Sequence, residues 1–121
     1  MNITSIIGRM TRDPELRRTG SGKAVISFTL AVERAYTDQS GKTADFIPVV
    51  AWGGLAEVTS KYCGKGSKVG VCGAIRERAY ENSDGRKVHV LEIHADSVDF
   101  LDTRKPEDAS VQEEDQSEPV I

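Results

Sequence analysis

Cysteine and histidine are scarce in this sequence of 121 residues, which contains two of each. Neither Cys63 and Cys72 nor His89 and His94 form a C-x-x-C pair or any other recognisable metal-ligand spacing. On a strand the two histidines would point to opposite faces, because an odd number of positions separates them. We therefore expect no metal site and no cofactor, with both cysteines acting as small buried side chains.

The sequence also lacks an arrangement of residues that could catalyse a reaction. No Ser/His/Asp or Cys/His combination has the spacing of a nucleophilic site, and two acids beside a proline, Asp13 and Glu15, indicate a solvated turn. The stretch TGSGKA at 19–24 resembles a phosphate-binding loop, but Arg17 and Ala24 stand where that motif needs glycine and Ser or Thr. We expect no enzymatic activity and assign no catalytic residue.

Long apolar runs are missing as well, although 38% of the residues are hydrophobic and 29% are charged. No run is long enough to span a bilayer. The opening MNITSIIGRMTRD lacks the basic start, apolar core and small-residue cleavage site of a signal peptide. These absences lead us to expect a cytoplasmic protein with no membrane partner.

The net charge of −3 hides a segregation of charge along the chain. All 16 Lys and Arg lie in residues 1–105 with 13 of the 19 acids, so this part carries 16 − 13 = +3. The other six acids lie in the last sixteen residues, which contain no basic residue. The pattern indicates a mildly basic body followed by an acidic tail.

Alternating apolar residues predict five strands, with turn signals at Gly41 and at Asp84-Gly85. The segment 11–22 reads as a loop, and 55–62 reads as a short helix that ends at glycines. The predicted helix face contains Leu55, Val58, Thr59 and Tyr62. The predicted strands cover residues 2–9, 23–36, 45–54, 67–80 and 87–100.

This order predicts an all-β fold, a five-stranded OB-fold barrel with one short helix between strands 3 and 4. We assign residues 1–102 to this domain. From Thr103 onward the apolar periodicity disappears, so residues 103–121 are predicted to form a disordered acidic tail.

The third predicted strand, DFIPVVAWGG at 45–54, is apolar on both faces. Small and branched residues suited to a core alternate with a row that contains Phe46, Pro48 and Trp52, the only tryptophan. A strand with two apolar faces needs two partners. We infer that the partner of the aromatic face can come from outside this chain.

Cations accompany aromatic residues near the ends of the predicted strands. Arg76, Arg78 and Tyr80 share a face of the fourth strand, and Arg34 and Tyr36 close the second. Such clusters suit single-stranded nucleic acid, because bases stack on the rings while cations neutralise phosphates. The alternative is that the cations only solubilise surface strands. The cations predicted to contact phosphate are Arg34, Lys65, Arg76, Arg78 and Arg86.

Over residues 1 to about 101 the sequence resembles the bacterial single-stranded DNA-binding protein family. The motifs are IIGRMTRDPELRRTGSGKAVISFTLAVERAY at 6–36 and DFIPVVAWGGLAEVTSKYCGKGSKVGVCGAIRERAY at 45–80, followed by the closing strand. The resemblance implies base stacking at four aromatic positions, which are Tyr36, Phe46, Trp52 and Tyr80 here. It also implies a homotetramer of OB domains, with subunits meeting near Ile47 and Pro48.

Three positions depart from the pattern of the family. Pro48, Gly54 and Ala79 stand where the family usually has basic or polar residues. The binding groove should therefore be less basic than usual and its salt dependence shallow, since each lost phosphate contact flattens the slope by about 0.7 for single strands.

Family tails end in acidic residues followed by a short motif with a terminal phenylalanine, which docks on replication and repair proteins. This chain ends in EEDQSEPVI, so acidity and a terminal hydrophobe remain without the phenylalanine. We predict docking through Glu118, Pro119, Val120 and Ile121, weaker than in the family or on different partners. The alternative is a solvated tail that only limits non-specific binding.

The resemblance and the residues together predict a non-catalytic protein that coats single-stranded DNA in replication, recombination and repair. Two alternatives stay open at this stage. One is an OB-fold that prefers single-stranded RNA or serves one specialised process. The other is a protein-interaction module in which Phe46 and Trp52 pack at a subunit interface.

Overall fold

The computed structural model describes residues 1–36 and 39–103. It consists of one sheet that closes on itself, with one helix packed against it. The elements in chain order are β1 (Thr4–Met10), β2 (Glu15–Arg18), β3 (Ala24–Glu33), β4 (Ala44–Trp52), α1 (Gly53–Tyr62), β5 (Lys68–Glu81) and β6 (Lys87–Asp102).

The core is filled by alternate residues of the strands, as their period-two patterns predict. In β3 the inward row of Ala24, Ile26, Phe28 and Leu30 is buried, while the residues between them are half-buried. The inward residues of β4 and β5 supply much of the rest of the interior. The buried members from those two strands are Val49, Ala51, Val69 and Val71.

The sheet has the order β1-β5-β6-β4-β3-β2, and β1 pairs with β3 as well as with β5. The β1–β3 pairing, which joins Arg9 to Ala31 and Met10 to Leu30, closes the barrel. All pairings are antiparallel except the short parallel contact between β4 and β6. The prediction of a strand-rich fold with a short helix before the last two strands is confirmed.

One short strand, β2, lies in the segment that the sequence predicts to be a loop. All four of its residues are exposed, so they carry no alternation that could reveal a strand. The strand forms because its backbone pairs with β3, from Glu15 opposite Ser27 to Arg18 opposite Ala24. The predicted third and fourth strands are therefore β4 and β5.

The helix differs from its prediction in its start and in its buried face. It begins at Gly53, whose φ of +68° suits a glycine at the turn out of β4. Ala56 and Thr59 are the buried residues, whereas Val58 is exposed. The predicted face was wrong at Val58 because the small Ala56 lets the helix lie close to the sheet.

No helix within the described ranges is long and apolar enough to cross a membrane. The domain boundary at residue 102 coincides with the end of β6. The tail from residue 104 onward lies outside the described residues, so its predicted disorder stays a prediction.

Candidate nucleic-acid interface

The outward row of β4 lies on the face of the sheet opposite the core. Phe46, Pro48, Val50 and Trp52 alternate with buried Val49 and Ala51. The ladders extend this face sideways, because residues opposite one another in a sheet point the same way. It continues through Ser27 and Thr29 of β3, His94 and Glu92 of β6, and Arg76, Arg78 and Tyr80 of β5. We call it the outer face.

Four aromatic side chains were predicted to stack on bases, and three of them are strongly exposed. The exposed fractions are 76% for Tyr36, 59% for Phe46 and 45% for Tyr80. Trp52 is half-buried, and its ring centroid lies 4.6 Å from that of His94 with the planes at 69°. This edge-to-face geometry is a preferred arrangement of aromatic rings.

The cations predicted on β5 lie on the outer face beside these rings. Arg76 is exposed and stands directly opposite Glu92 in the β5–β6 ladder. The guanidinium of Arg78 lies 5.6 Å from the ring centroid of Tyr80, and its Nε donates a hydrogen bond of 3.2 Å to Oε1 of Glu92. The structure thus brings together an aromatic, two cations and one carboxylate.

The other predicted cations have different surroundings. Arg34 forms a forked ion pair with Asp45, Nη2 to Oδ1 at 2.7 Å and Nε to Oδ2 at 3.1 Å, so a carboxylate already offsets its charge. Lys65 is exposed in the loop after α1, where its backbone N–H donates to Oδ1 of Asp13. Arg86 is exposed at the β5–β6 hairpin, away from the centre of the face.

A polar groove crosses the outer face between the loop after β1 and strand β5. Both Arg12, which sequence reasoning did not select, and Arg78 line it. The sequence gave no indication of where the side chain of Arg12 points, because a loop has no periodicity. The groove also contains Asp13, Glu15, Ser27, Thr29, Pro48, Val50 and Glu92.

Glu92 and His94 were also missed by sequence reasoning. Glu92 is 6% exposed, and its Oε1 accepts hydrogen bonds from Arg78 and from Nε2 of His94, the latter at 3.1 Å. Burial raises the pKa of Glu92, but the hydrogen bonds from His94 and Arg78 outweigh it and hold this pKa below the ordinary value. His94 therefore lies on the outer face in contact with both Glu92 and Trp52. Cys63 is buried as predicted, whereas Cys72 is only half-buried.

Comparison with known proteins identifies the group to which this barrel belongs. The model of the single-strand binding protein family matches residues 1–101. The chain belongs to that family. The match covers β1 to β5, the helix and all of β6 except its last residue.

Curated relatives carry corresponding names. The chain is 48% identical over 109 residues to single-stranded DNA-binding protein 1 of Staphylococcus aureus strain MSSA476, covering 89% of this chain and 70% of the relative. It is 50% identical over 103 residues to single-stranded DNA-binding protein 3 of Clostridium acetobutylicum, covering 84% and 72%. A single-stranded DNA-binding protein of Halalkalibacterium halodurans is 50% identical over 105 residues, covering 86% and 62%.

Membership in the single-strand binding protein family confirms the resemblance and the OB-fold predicted from the sequence. It also agrees with the absence of a catalytic constellation from the sequence, because the proteins of this family bind DNA without catalysis. The roles of the individual aromatic residues and cations stay predictions.

Replacing Glu92 with Gln should make the stability of this single-strand binding family member less sensitive to acid. Because the pKa of Glu92 is lowered in the folded state, ionised Glu92 stabilises the fold above pH 4.5, its ordinary pKa. This contribution is lost as the pH falls from there through the lower folded pKa. We expect Glu92→Gln to lower the free energy of unfolding by about 1–3 kcal/mol at neutral pH. The difference from wild type should shrink as the pH falls below 4.5.

Urea denaturation at neutral pH and near pH 3 measures this difference. Glu77→Gln is the matched control, because Glu77 pairs with His89 where both side chains are largely exposed. A deficit of Glu92→Gln that stays constant across this pH range would contradict the assignment.

Proposed function

We propose that this protein binds single-stranded DNA with little sequence preference and coats exposed strands during replication, recombination and repair. The observation that carries the proposal is the joint placement of exposed aromatic rings and arginines on the outer face. Base stacking needs only a π-face, which every base offers, and phosphate contacts are the same at every nucleotide. Such a surface binds strands without reading their sequence.

The proposed path of the strand follows the row of β4 and the end of β5. Phe46 and Trp52 are six residues apart on one strand, about 20 Å at roughly 3.3 Å per residue. That span accommodates several nucleotides. Tyr36 and Tyr80 extend the stacking surface. The proposed phosphate contacts are Arg76, Arg78, Lys65 and Arg86, with Arg34 contributing a charge that it shares with Asp45.

Duplex DNA should bind much more weakly than single strands. In a duplex the π-faces of the bases are stacked on one another, so the rings of the outer face gain no base contact. Only the phosphates remain accessible, and the cations of this surface are few. The relatives, each named a single-stranded DNA-binding protein, support the same preference.

We further propose that the protein assembles as a homotetramer. Apolar residues are also exposed where β1 meets the start of β5 and the end of β6, a part of the barrel surface to which β4 does not contribute. Ile7, Cys72 and Leu101 line a groove there, and Ile3 is exposed just before β1. Exposed apolar patches of this kind mark association surfaces. Sedimentation equilibrium gives the number of subunits directly.

The acidic tail is proposed to recruit replication and repair proteins through Glu118, Pro119, Val120 and Ile121. Its six acids and terminal hydrophobes support this role, with the solvated tail as the alternative. We place the protein in the cytoplasm at the nucleoid, where single-stranded DNA arises in bacteria.

Competition binding tests the proposed function. A fluorescently labelled oligo-dT is bound to the protein, and unlabelled oligo-dT, oligo-U and duplex DNA compete at low and moderate salt. The proposal expects oligo-dT to compete well and duplex DNA poorly. Preferred displacement by oligo-U would favour the RNA-binding alternative, and no binding of oligo-dT at either salt would overturn the proposal.

Arg76→Ala should flatten the salt dependence of oligo-dT binding. Arg76 is exposed, and among the described residues it takes part in no ion pair. Losing one phosphate contact should reduce the slope of log affinity against log salt by about 0.7. Lys61→Ala on the helix is the control, because its Nζ lies over Tyr62 and not on the outer face. Equal slopes for Arg76→Ala and wild type would contradict a phosphate role.

A further inference from the structure

A continuous chain of contacts links two of the proposed stacking rings across the outer face. Tyr80 lies beside Arg78, and Arg78 donates a hydrogen bond to Glu92. Glu92 also contacts His94, whose ring meets that of Trp52 edge to face. At the centre of this chain of contacts is the nearly buried carboxylate of Glu92. The proposed ligand of this surface, single-stranded DNA, is an anion.

Such a carboxylate is unfavourable for DNA binding by charge alone, since it repels phosphates and its burial costs hydration. Apolar side chains would fill the same volume without that repulsion. Glu92 instead orients its neighbours, because its Oε1 accepts hydrogen bonds from both Arg78 and His94. In the same way, carboxylates that hydrogen-bond to metal-ligating histidines fix the orientation of those rings.

We propose that Glu92 and His94 are positioning residues of the single-stranded DNA surface: Glu92 holds the imidazole, the imidazole fixes the ring of Trp52, and protonation of His94 strengthens binding. The inference rests on the proposed function, because it concerns the same surface. It adds a dependence on pH that cations and aromatic rings alone would not produce.

The direction of this dependence follows from the groups around His94. On β6 the imidazole faces Glu92, which stays ionised, and on β5 the charged residues of this face are Arg76 and Arg78. From β4 it meets Trp52 and Val50, which do not titrate. Across the groove lie Arg12, Asp13 and Glu15.

Protonated His94 offsets the negative charge of Glu92. Glu92 then neutralises less of the positive charge of Arg78, which attracts phosphate more strongly. It also places a cation against the indole ring, which holds the ring more firmly. Since DNA favours the protonated form of His94, oligo-dT affinity should rise as the pH is lowered. We expect about a two- to fivefold rise, as for one partly exposed charge pair.

The molecule supplies a matched control on the same two strands. His89 and Glu77 form a second imidazole–carboxylate pair, Nδ1 to Oε2 at 3.2 Å. The alternation of β5 and β6 places this pair on the face opposite that of His94 and Glu92. Replacing His89 removes an equivalent titrating group without touching the proposed surface.

Because Trp52 is the only tryptophan, its fluorescence reports this contact in the free protein. A protonated imidazole in contact with indole quenches its emission, so Trp52 emission should fall as His94 takes up a proton. Wild type and His89→Gln should show this fall, and His94→Gln should not.

Oligo-dT affinity of the full chain, measured from about pH 8 to pH 6, completes the test. The two- to fivefold rise should be present in wild type and His89→Gln and lost in His94→Gln. Circular dichroism checks folding, and His94→Asn serves as a second variant if His94→Gln unfolds. A pH dependence of emission or affinity that survives in the folded His94 variant would overturn the proposal.

The outcomes separate this inference from the proposed function. Failure of wild type to bind oligo-dT at any pH would overturn the function, and with it the effect on binding. Normal binding of oligo-dT with no pH dependence in wild type would overturn the inference alone.

Discussion

Phe46→Ala should weaken oligo-dT binding by about 5- to 150-fold, which corresponds to roughly 1–3 kcal/mol for the loss of one base–aromatic stack. The ring is more than half exposed in the free chain, so removing it sacrifices little packing. It stands at the start of the outward row of β4, where a strand crossing the face meets it before Pro48. The effect should therefore fall on binding and not on folding.

Two measurements together decide this prediction. Oligo-dT affinity is determined at fixed salt for wild type, Phe46→Ala and Val58→Ala, and urea denaturation is followed for all three. Val58 is the matched control, because it is an exposed apolar residue on α1, away from the outer face. Affinities of Phe46→Ala and Val58→Ala that agree within twofold would contradict a stacking role for Phe46.

Gly73→Ala should destabilise the fold by about 1–3 kcal/mol. A Cβ at this position would lie inside van der Waals contact with the carbonyl oxygen of His94 and 3.0 Å from Cα of Ala95. Both obstacles are backbone atoms of β6, so no flexible side chain can move aside. The β5–β6 ladder shifts register between Cys72 and Gly73, and the added methyl would push the strands apart at that bulge.

Because the displaced backbone belongs to His94, this substitution should also disturb the contact between His94 and Trp52. The free energy of unfolding is measured by urea denaturation followed by circular dichroism. Gly54→Ala is the control, since its Cβ would meet no atom within 4 Å, and it should raise stability by up to about 1 kcal/mol as a helical glycine. An unchanged denaturation midpoint for Gly73→Ala would contradict the close packing of β5 against β6.

Much of the barrel was predictable because its signals are local. The alternation in β3 predicted its buried row, and the glycine turn signal predicted the β5–β6 hairpin. Strand β2 was not predictable, since four exposed residues acquire a strand conformation only by pairing with β3. The helix face failed at Val58 for a similar reason, because packing against the sheet favoured the smaller Ala56.

The candidate site divides in the same way. Residue type and alternation placed Phe46 and Trp52 on one face of their strand, and Arg78 and Tyr80 on one face of theirs. Which cations form ion pairs depends on the register between neighbouring strands, and this register cannot be read from the sequence. The pair of Arg78 and Glu92 is diagonal across the β5–β6 ladder, where Arg78 stands opposite Val90, so it can be seen only once that ladder is known. The contact between His94 and Trp52 depends on the short parallel pairing of β4 with β6.

The most direct test of the stacking surface is the fluorescence of Trp52 during titration with oligo-dT. Salt is set low and then moderate, with duplex DNA as the control ligand. The account predicts strong quenching by oligo-dT that saturates at a defined number of nucleotides per subunit, and little quenching by duplex. Unchanged emission with any single strand at either salt would contradict it, because Trp52 would then make no contact with bases.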